Sequence, residues 1–134
     1  MTASPLLSIV LAAGKGTRMK SATPKVLHKV AGRPMLGHVL ALAQSAGSTR
    51  VAVVVGTDMD AVEASAKSAV PQAQIFLQRT QLGTGHAVLA ARQAIEAHDG
   101  DVLVLYADTP LIRPETIARL RARLDLGAAI AVLG

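Results

Sequence analysis

Three segments constrain the fold more than anything else in this sequence: Leu6–Leu11, Arg50–Val55 and Asp101–Tyr106, each dominated by valine, leucine, isoleucine or alanine. Nearly continuous apolar runs of this length, unlike alternating ones, belong to strands covered on both faces. Between them, apolar residues recur at helical spacing. Leu36, Val39, Leu40 and Ala43 form one such stretch, closed by Gly47, and Val62 and Ala66 form another that Thr57 is placed to cap. Val88, Ala91 and Ile95 form a third, and Ile117, Leu120 and Leu124 a fourth behind Pro114, which suits a first helical turn. Gln74–Gln78 adds a short strand, and Ala128–Leu133 reads as the start of a further one. Strands alternating with helices predict an α/β fold, a Rossmann-like and mostly parallel sheet with helices on both faces. The chain ends at Gly134 just as the last apolar strand completes, so the domain, residues 1–134, is expected to be incomplete at its C-terminus.

With 51% hydrophobic and 17% charged residues, the chain has the composition of a packed domain and not of a disordered one. Its core must be aliphatic, because Phe76 and Tyr106 are its only aromatic residues. That scarcity argues against a single-stranded nucleic-acid binder, which needs stacking rings. The net charge of +5 is less informative than its placement: Lys15, Arg18, Lys20, Lys25, Lys29 and Arg33 crowd one short stretch. Such a cluster suits a polyphosphate better than a long duplex. Without cysteine there is neither a disulfide nor a thiolate metal site. The opening MTASPLLSIVLAAG has no basic n-region, is interrupted by Ser8 and closes at Gly14. It reads as a buried strand, not as a signal peptide or membrane span, and a cytoplasmic protein is expected.

In parallel α/β sheets ligands bind beyond the carboxyl ends of the strands. Three loops follow strands here, Ala12–Lys25, Gln78–His86 and Tyr106–Leu111, and all three are expected to converge on one crevice. In the first, Leu11-Ala12-Ala13-Gly14-Lys15-Gly16-Thr17-Arg18-Met19, the glycines allow positive φ and present amide groups to a phosphate. Ala12 and Ala13 are small enough for a planar base to lie against the chain. The loop fails the P-loop pattern, and Met19 stands where a dinucleotide fingerprint has its third glycine. A nucleoside triphosphate brings about four negative charges. Arg18 can grip phosphate oxygens in a fork and Lys25 offers a compact point charge.

The sequence L-A-A-G-K-G-T-R-M, followed by P-K-V-L-H-K-V-A-G-R-P-M from Pro24 to Met35, resembles the signature of the bacterial N-acetylglucosamine-1-phosphate uridyltransferases. The resemblance continues through Gln78-Arg79-Thr80-Gln81-Leu82-Gly83-Thr84-Gly85-His86-Ala87, which matches the family motif Q-x-x-Q-L-G-T-G-H-A throughout. A side-chain amide such as Gln78 can meet one donor and one acceptor on the edge of uracil. It cannot by itself reject cytosine, since an amide can flip. A fixed backbone N–H from Gly83 would set the preference, and Thr84 could cap the next helix or touch the ligand. His86 is read as hydrogen-bonding backbone near the loop, because the reaction needs no side-chain base. His28, His38 and His98 have no spacing that suggests a metal.

Tyr106-Ala107-Asp108-Thr109-Pro110-Leu111 follows the third strong strand, and a carboxylate there is well placed to hold Mg²⁺. The family pattern is Y-G-D-x-P-L, so Ala107 replaces a glycine and its methyl is expected to crowd the ligand slightly. Asp58, Asp60 and Glu63 read as a helix start that favours negative charge.

What the resemblance implies is a direct in-line displacement in which N-acetylglucosamine 1-phosphate and UTP give UDP-N-acetylglucosamine and pyrophosphate, for cell-envelope precursors. It implies nucleotide contacts from Leu11, Ala12, Ala13, Gly14, Lys25, Gln78, Gly83, Thr84, Tyr106, Ala107 and Asp108, charge stabilisation by Arg18 and Lys25, and Asp108 on Mg²⁺. Neither nucleic acid nor membrane is an expected partner. The family also implies a second metal ligand and acceptor-sugar contacts beyond Gly134, and a left-handed β-helix domain that acetylates glucosamine 1-phosphate and carries the contacts of a homotrimer. Residues 1–134 alone are therefore expected to bind UTP weakly and to turn over negligibly.

Overall fold

The computed structural model describes residues 5–13, 24–57, 59–80, 82–109, 111–127 and 130–132. Strand β1 (Leu6–Leu11) lies between β4 (Arg50–Gly56) and β6 (Asp101–Tyr106), with β5 (Gln74–Gln78) outside β4, and every pairing is parallel. The spatial order β5-β4-β1-β6 means that the chain builds outward on one side of β1 and then returns to add β6 on the other. That reversal beside β1 is the switch point at which open α/β sheets form their ligand crevice.

Side chains alternate between two cores, as the period of a strand requires. Val10, Val51, Val53, Val55 and Leu105 pack on one face with α1 (Met35–Ser45), α2 (Asp60–Ala69) and Ile117 of α5 (Pro114–Asp125). Leu7, Ile9, Leu11, Ala52 and Val54 pack on the other with Ala87 of α3 (Thr84–Ala90), Ala91, and Ala94 of α4 (Arg92–Glu96). Helices thus cover both faces. The one polar side chain buried within β1, Ser8, is satisfied: its hydroxyl meets that of Ser48 at 2.5 Å. Ser48 donates its own hydrogen to the Ala43 carbonyl, so Ser8 must be the donor between the two.

The helix boundaries follow local chemistry at several points. Pro114 opens α5 at its first turn, and Gly47 follows α1 at φ +87, with its N–H on the Gln44 carbonyl. Elsewhere the structure departs from the sequence reading. Thr57 does not cap α2, whose N-cap is Met59 without a side-chain bond. The helix expected through Val88 and Ile95 is divided at Ala91, which ends α3 and begins α4. Strand β6 is covered on one face only among the described residues, since Val102, Val104 and Tyr106 are 38–47% exposed. Residues 130–132 form no strand; the rest of Ala128–Leu133, apart from these, lies outside the described residues.

A small hairpin, β2 (Lys29–Val30) paired antiparallel with β3 (Arg33–Pro34), was not foreseen. Ala31 and Gly32 at its tip have φ of 52 and +80, the left-handed pair that a two-residue turn needs. Among the described residues no helix is long and apolar enough to cross a membrane.

Candidate functional site

The four strands end at one edge of the sheet, β4 and β5 running two residues beyond the level at which β1 and β6 stop. Leu11 is in register with Val54 and Tyr106, and Gln78 with Gly56. Backbone bonds from Ala12 N to the Val54 oxygen (2.8 Å) and from Ala107 N to the Leu11 oxygen (3.0 Å) carry the ladder one residue further. The ends of β1 and β4 therefore stay close together. Gly56 allows the close approach this needs: a Cβ there would stand 3.2 Å from the Ala13 carbonyl oxygen.

Above the strand ends, on the α3 side of the sheet, lies an open cavity of about 340 Å³. Leu11 and Ala13 from the end of β1, Gln78 from β5, Gly83 and Thr84 from the next loop and Tyr106 from β6 all line it, with Val26 and Ala87 completing the wall. The described parts of the three loops therefore do meet. The volume falls in the range of small-molecule sites. A larger depression of about 440 Å³ between α1 and α5 takes no described residue from any of these loops.

Polar contacts join the loops to one another. Lys25 Nζ lies 3.1 Å from Asp108 Oδ2, linking the end of the first loop to the third. The Thr84 hydroxyl meets the Tyr106 phenol at 3.0 Å, linking the second to the third. Gln78 is 4% exposed, and its amide nitrogen lies 2.9 Å from Nδ1 of His86.

Not every residue singled out in the sequence presents its side chain here. Ala12 and Ala107 are buried at 1% and 0% in the core beneath α1 and α2, so each can offer a ligand only backbone. The Ala107 methyl consequently points into the core and does not crowd the cavity, contrary to the expectation from the family pattern. Gly83 is the N-cap of α3 at φ 103 and ψ 178, a conformation essentially restricted to glycine. Thr84 is the first residue of α3 and does not cap it. Gly14 and Arg18 lie outside the described residues.

Three features escaped the sequence reading. Val26 and Ala87 line the cavity, Lys25 and Asp108 form a pair, and His86 bonds the Gln78 side chain where backbone was expected. Two of the other histidines contact backbone: His38 Nε2 lies 2.6 Å from the Val30 carbonyl oxygen, and His98 Nε2 lies 3.0 Å from that of Asp101. Among the described residues no group of three or more His, Cys, Asp or Glu is placed to hold a metal.

Residues 8–134 match the family model of the MobA-like NTP transferase domain. The chain belongs to this family. As a MobA-like NTP transferase domain it is 61% identical over its whole length to the bifunctional protein GlmU of Azorhizobium caulinodans, and equally to that of Xanthobacter autotrophicus. It spans 30% of the length of each. Among solved structures, Rv0371c from Mycobacterium tuberculosis superposes with a TM-score of 0.70 at 26% identity, over 95% of this chain and 62% of that one. The manganese complex of the same mycobacterial protein superposes with a TM-score of 0.66 at 24% identity, over 92% and 59%. The MobA-like fold thus accounts for the parallel sheet and for the crevice at its switch point.

Proposed function

We propose that this chain is the nucleotide-binding part of an enzyme that makes UDP-N-acetylglucosamine and pyrophosphate from UTP and N-acetylglucosamine 1-phosphate. One observation carries the reading: residues from three separate strand ends line a single cavity, and the Lys25–Asp108 pair joins two of the same loops. The match of Gln78–Ala87 to the uridyltransferase motif and the name of the 61%-identical relatives support uridine over other bases.

In this reading Ala13 offers a small surface for the base, while Gln78 and the Gly83 backbone address its edge. Leu11, Ala12, Gly14, Tyr106 and Ala107 add contacts, and Thr84 with Tyr106 closes the ribose side. A phosphate oxygen of the sugar phosphate attacks the α-phosphorus of UTP. The bond from that phosphorus to the bridging oxygen breaks, and pyrophosphate leaves with both electrons. No covalent enzyme intermediate is required. Lys25 and Arg18 neutralise the charge that builds on the phosphates, and alignment supplies much of the rate.

Mg²⁺ fits the donor set. Asp108 is a partly exposed hard oxygen ligand, and among the described residues it belongs to no group of three or more His, Cys, Asp or Glu that could cage a metal. That is how Mg²⁺ is commonly held, by one or two carboxylates plus substrate phosphates. When bound, the ion held by Asp108 would neutralise charge on the phosphates. The same reading gives the full-length protein a cytoplasmic location, a homotrimeric assembly and an acetyl-transferring activity on glucosamine 1-phosphate outside this chain.

The test is a panel of nucleoside triphosphates and sugar 1-phosphates on the full-length protein, read as pyrophosphate release. Strong preference for UTP with N-acetylglucosamine 1-phosphate supports the proposal. Equal or greater turnover with another pair would replace it.

A further inference from the structure

We infer that His86 is a positioning residue that fixes the orientation of the Gln78 amide and thereby sets the preference for uracil over cytosine. The inference rests on the reading above, in which Gln78 faces the base. It begins from an ambiguity in the amide itself. A glutamine side chain carries an acceptor on one branch and a double donor on the other, and turning it over exchanges them at almost no cost. A lone glutamine would therefore accommodate either pyrimidine.

The ambiguity is removed by what stands behind the amide. Gln78 ends β5 nearly buried and lines the cavity, whereas His86, in the first turn of α3, does not. Between them lies the 2.9 Å contact of Nε2 with Nδ1, the amide's one hydrogen bond to protein among the described residues. With the imidazole in its Nε2–H form, Nδ1 offers only a lone pair and ties one amide hydrogen to itself. The carbonyl branch is then left for the ligand. Uracil N3–H donates to it, and the second amide hydrogen remains for O4. Cytosine would bring a lone pair at N3 against the carbonyl and an amino group against the NH₂, so both contacts would be repulsive.

To accept cytosine the amide must turn, which sets its oxygen against the Nδ1 lone pair. Relief then requires the ring proton to move from Nε2 to Nδ1. The discrimination is thus held one residue behind the cavity wall, in a side chain that need not touch the nucleotide.

The test compares kcat/KM for UTP and CTP in the full-length protein and in His86→Ala, His86→Phe, Gln78→Ala and the double variant Gln78→Ala/His86→Ala. The phenylalanine variant keeps the ring volume and lacks the acceptor, so packing and hydrogen bonding are separated. Loss of one oriented hydrogen bond should lower the UTP-to-CTP ratio about three- to tenfold in both single His86 variants. It should have no further effect once Gln78 is alanine. A merely structural role would depress both nucleotides alike, and an unchanged ratio would overturn the inference. Failure of both His86 variants to fold would assign the residue to the fold and overturn it as well. If the wild-type protein shows no UTP preference, or Gln78→Ala leaves the ratio intact, it is the uridine reading that fails. If Gln78→Ala relaxes the ratio and the His86 variants do not, only the role of His86 is lost.

Discussion

Lys25 and Asp108 are 83 residues apart in sequence and 3.1 Å apart in space, at side-chain exposures of 45% and 37%. A pair this exposed contributes about 0–1 kcal/mol to folding. Its value lies in bringing a cation and a carboxylate to the same loops as the cavity, with each able to exchange its partner for a ligand's phosphate or metal. Lys25→Ala in the full-length protein should therefore lower turnover by roughly 10²–10³-fold. Thermal unfolding should move by no more than a degree or two. Steady-state pyrophosphate release and a melting curve on one sample check both, and an unchanged rate removes Lys25 from the site.

Asp108→Asn keeps the shape of the side chain and removes its charge. The half-saturating Mg²⁺ concentration should rise at least about tenfold, since losing a direct ligand should cost no less than losing its support. A metal titration of the initial rate at fixed UTP reads this directly. An unaltered titration would move the metal site elsewhere.

Gln78→Ala removes the one side-chain amide in the cavity wall among the described residues. The UTP-to-CTP ratio should fall roughly tenfold, with most of the change in CTP becoming a better substrate. Parallel assays of the two nucleotides decide it; loss of both activities with the ratio retained would make Gln78 structural.

Away from the cavity, Arg121 of α5 sends Nε and Nη2 to Asp101 Oδ2 at 3.1 and 3.0 Å, and the pair is only 17% and 21% exposed. It ties α5 to the first residue of β6. Arg121→Ala should cost about 1.5–3 kcal/mol, the range for hydrogen bonds to charged groups. Activity per folded molecule should be unchanged. A shift in the urea midpoint together with constant specific activity is the expected outcome.

Much of this architecture was legible because parallel strands leave little choice. Apolar runs such as Val51–Val55 must be covered twice, and every loop after a strand must open at the same edge. That reasoning was enough to bring Leu11, Gln78 and Tyr106 to one crevice. What escaped it depends on details finer than periodicity. The inward turn of the Ala107 methyl follows from strand parity, since Leu105 and Ala107 share a face that Tyr106 does not. The alternation of β6 alone carries this signal, and the replaced glycine says nothing about it. The Gln78–His86 contact needs the first turn of α3 to fold back beside the end of β5, which no spacing of eight residues announces. The β2–β3 hairpin has strands of two residues, too short for any period, and its turn puts alanine where asparagine would have given it away. Thr57 failed as a cap because α2 begins three residues later, at Asp60.

A crystal structure of the full-length protein with UTP and Mg²⁺ bound tests the central claim most directly. The account predicts the uracil edge within hydrogen-bonding distance of Gln78 and Gly83, with Lys25 turned to the phosphates and Asp108 on the metal. A nucleotide bound with its base away from Gln78, or its triphosphate out of reach of both Lys25 and Asp108, would contradict it.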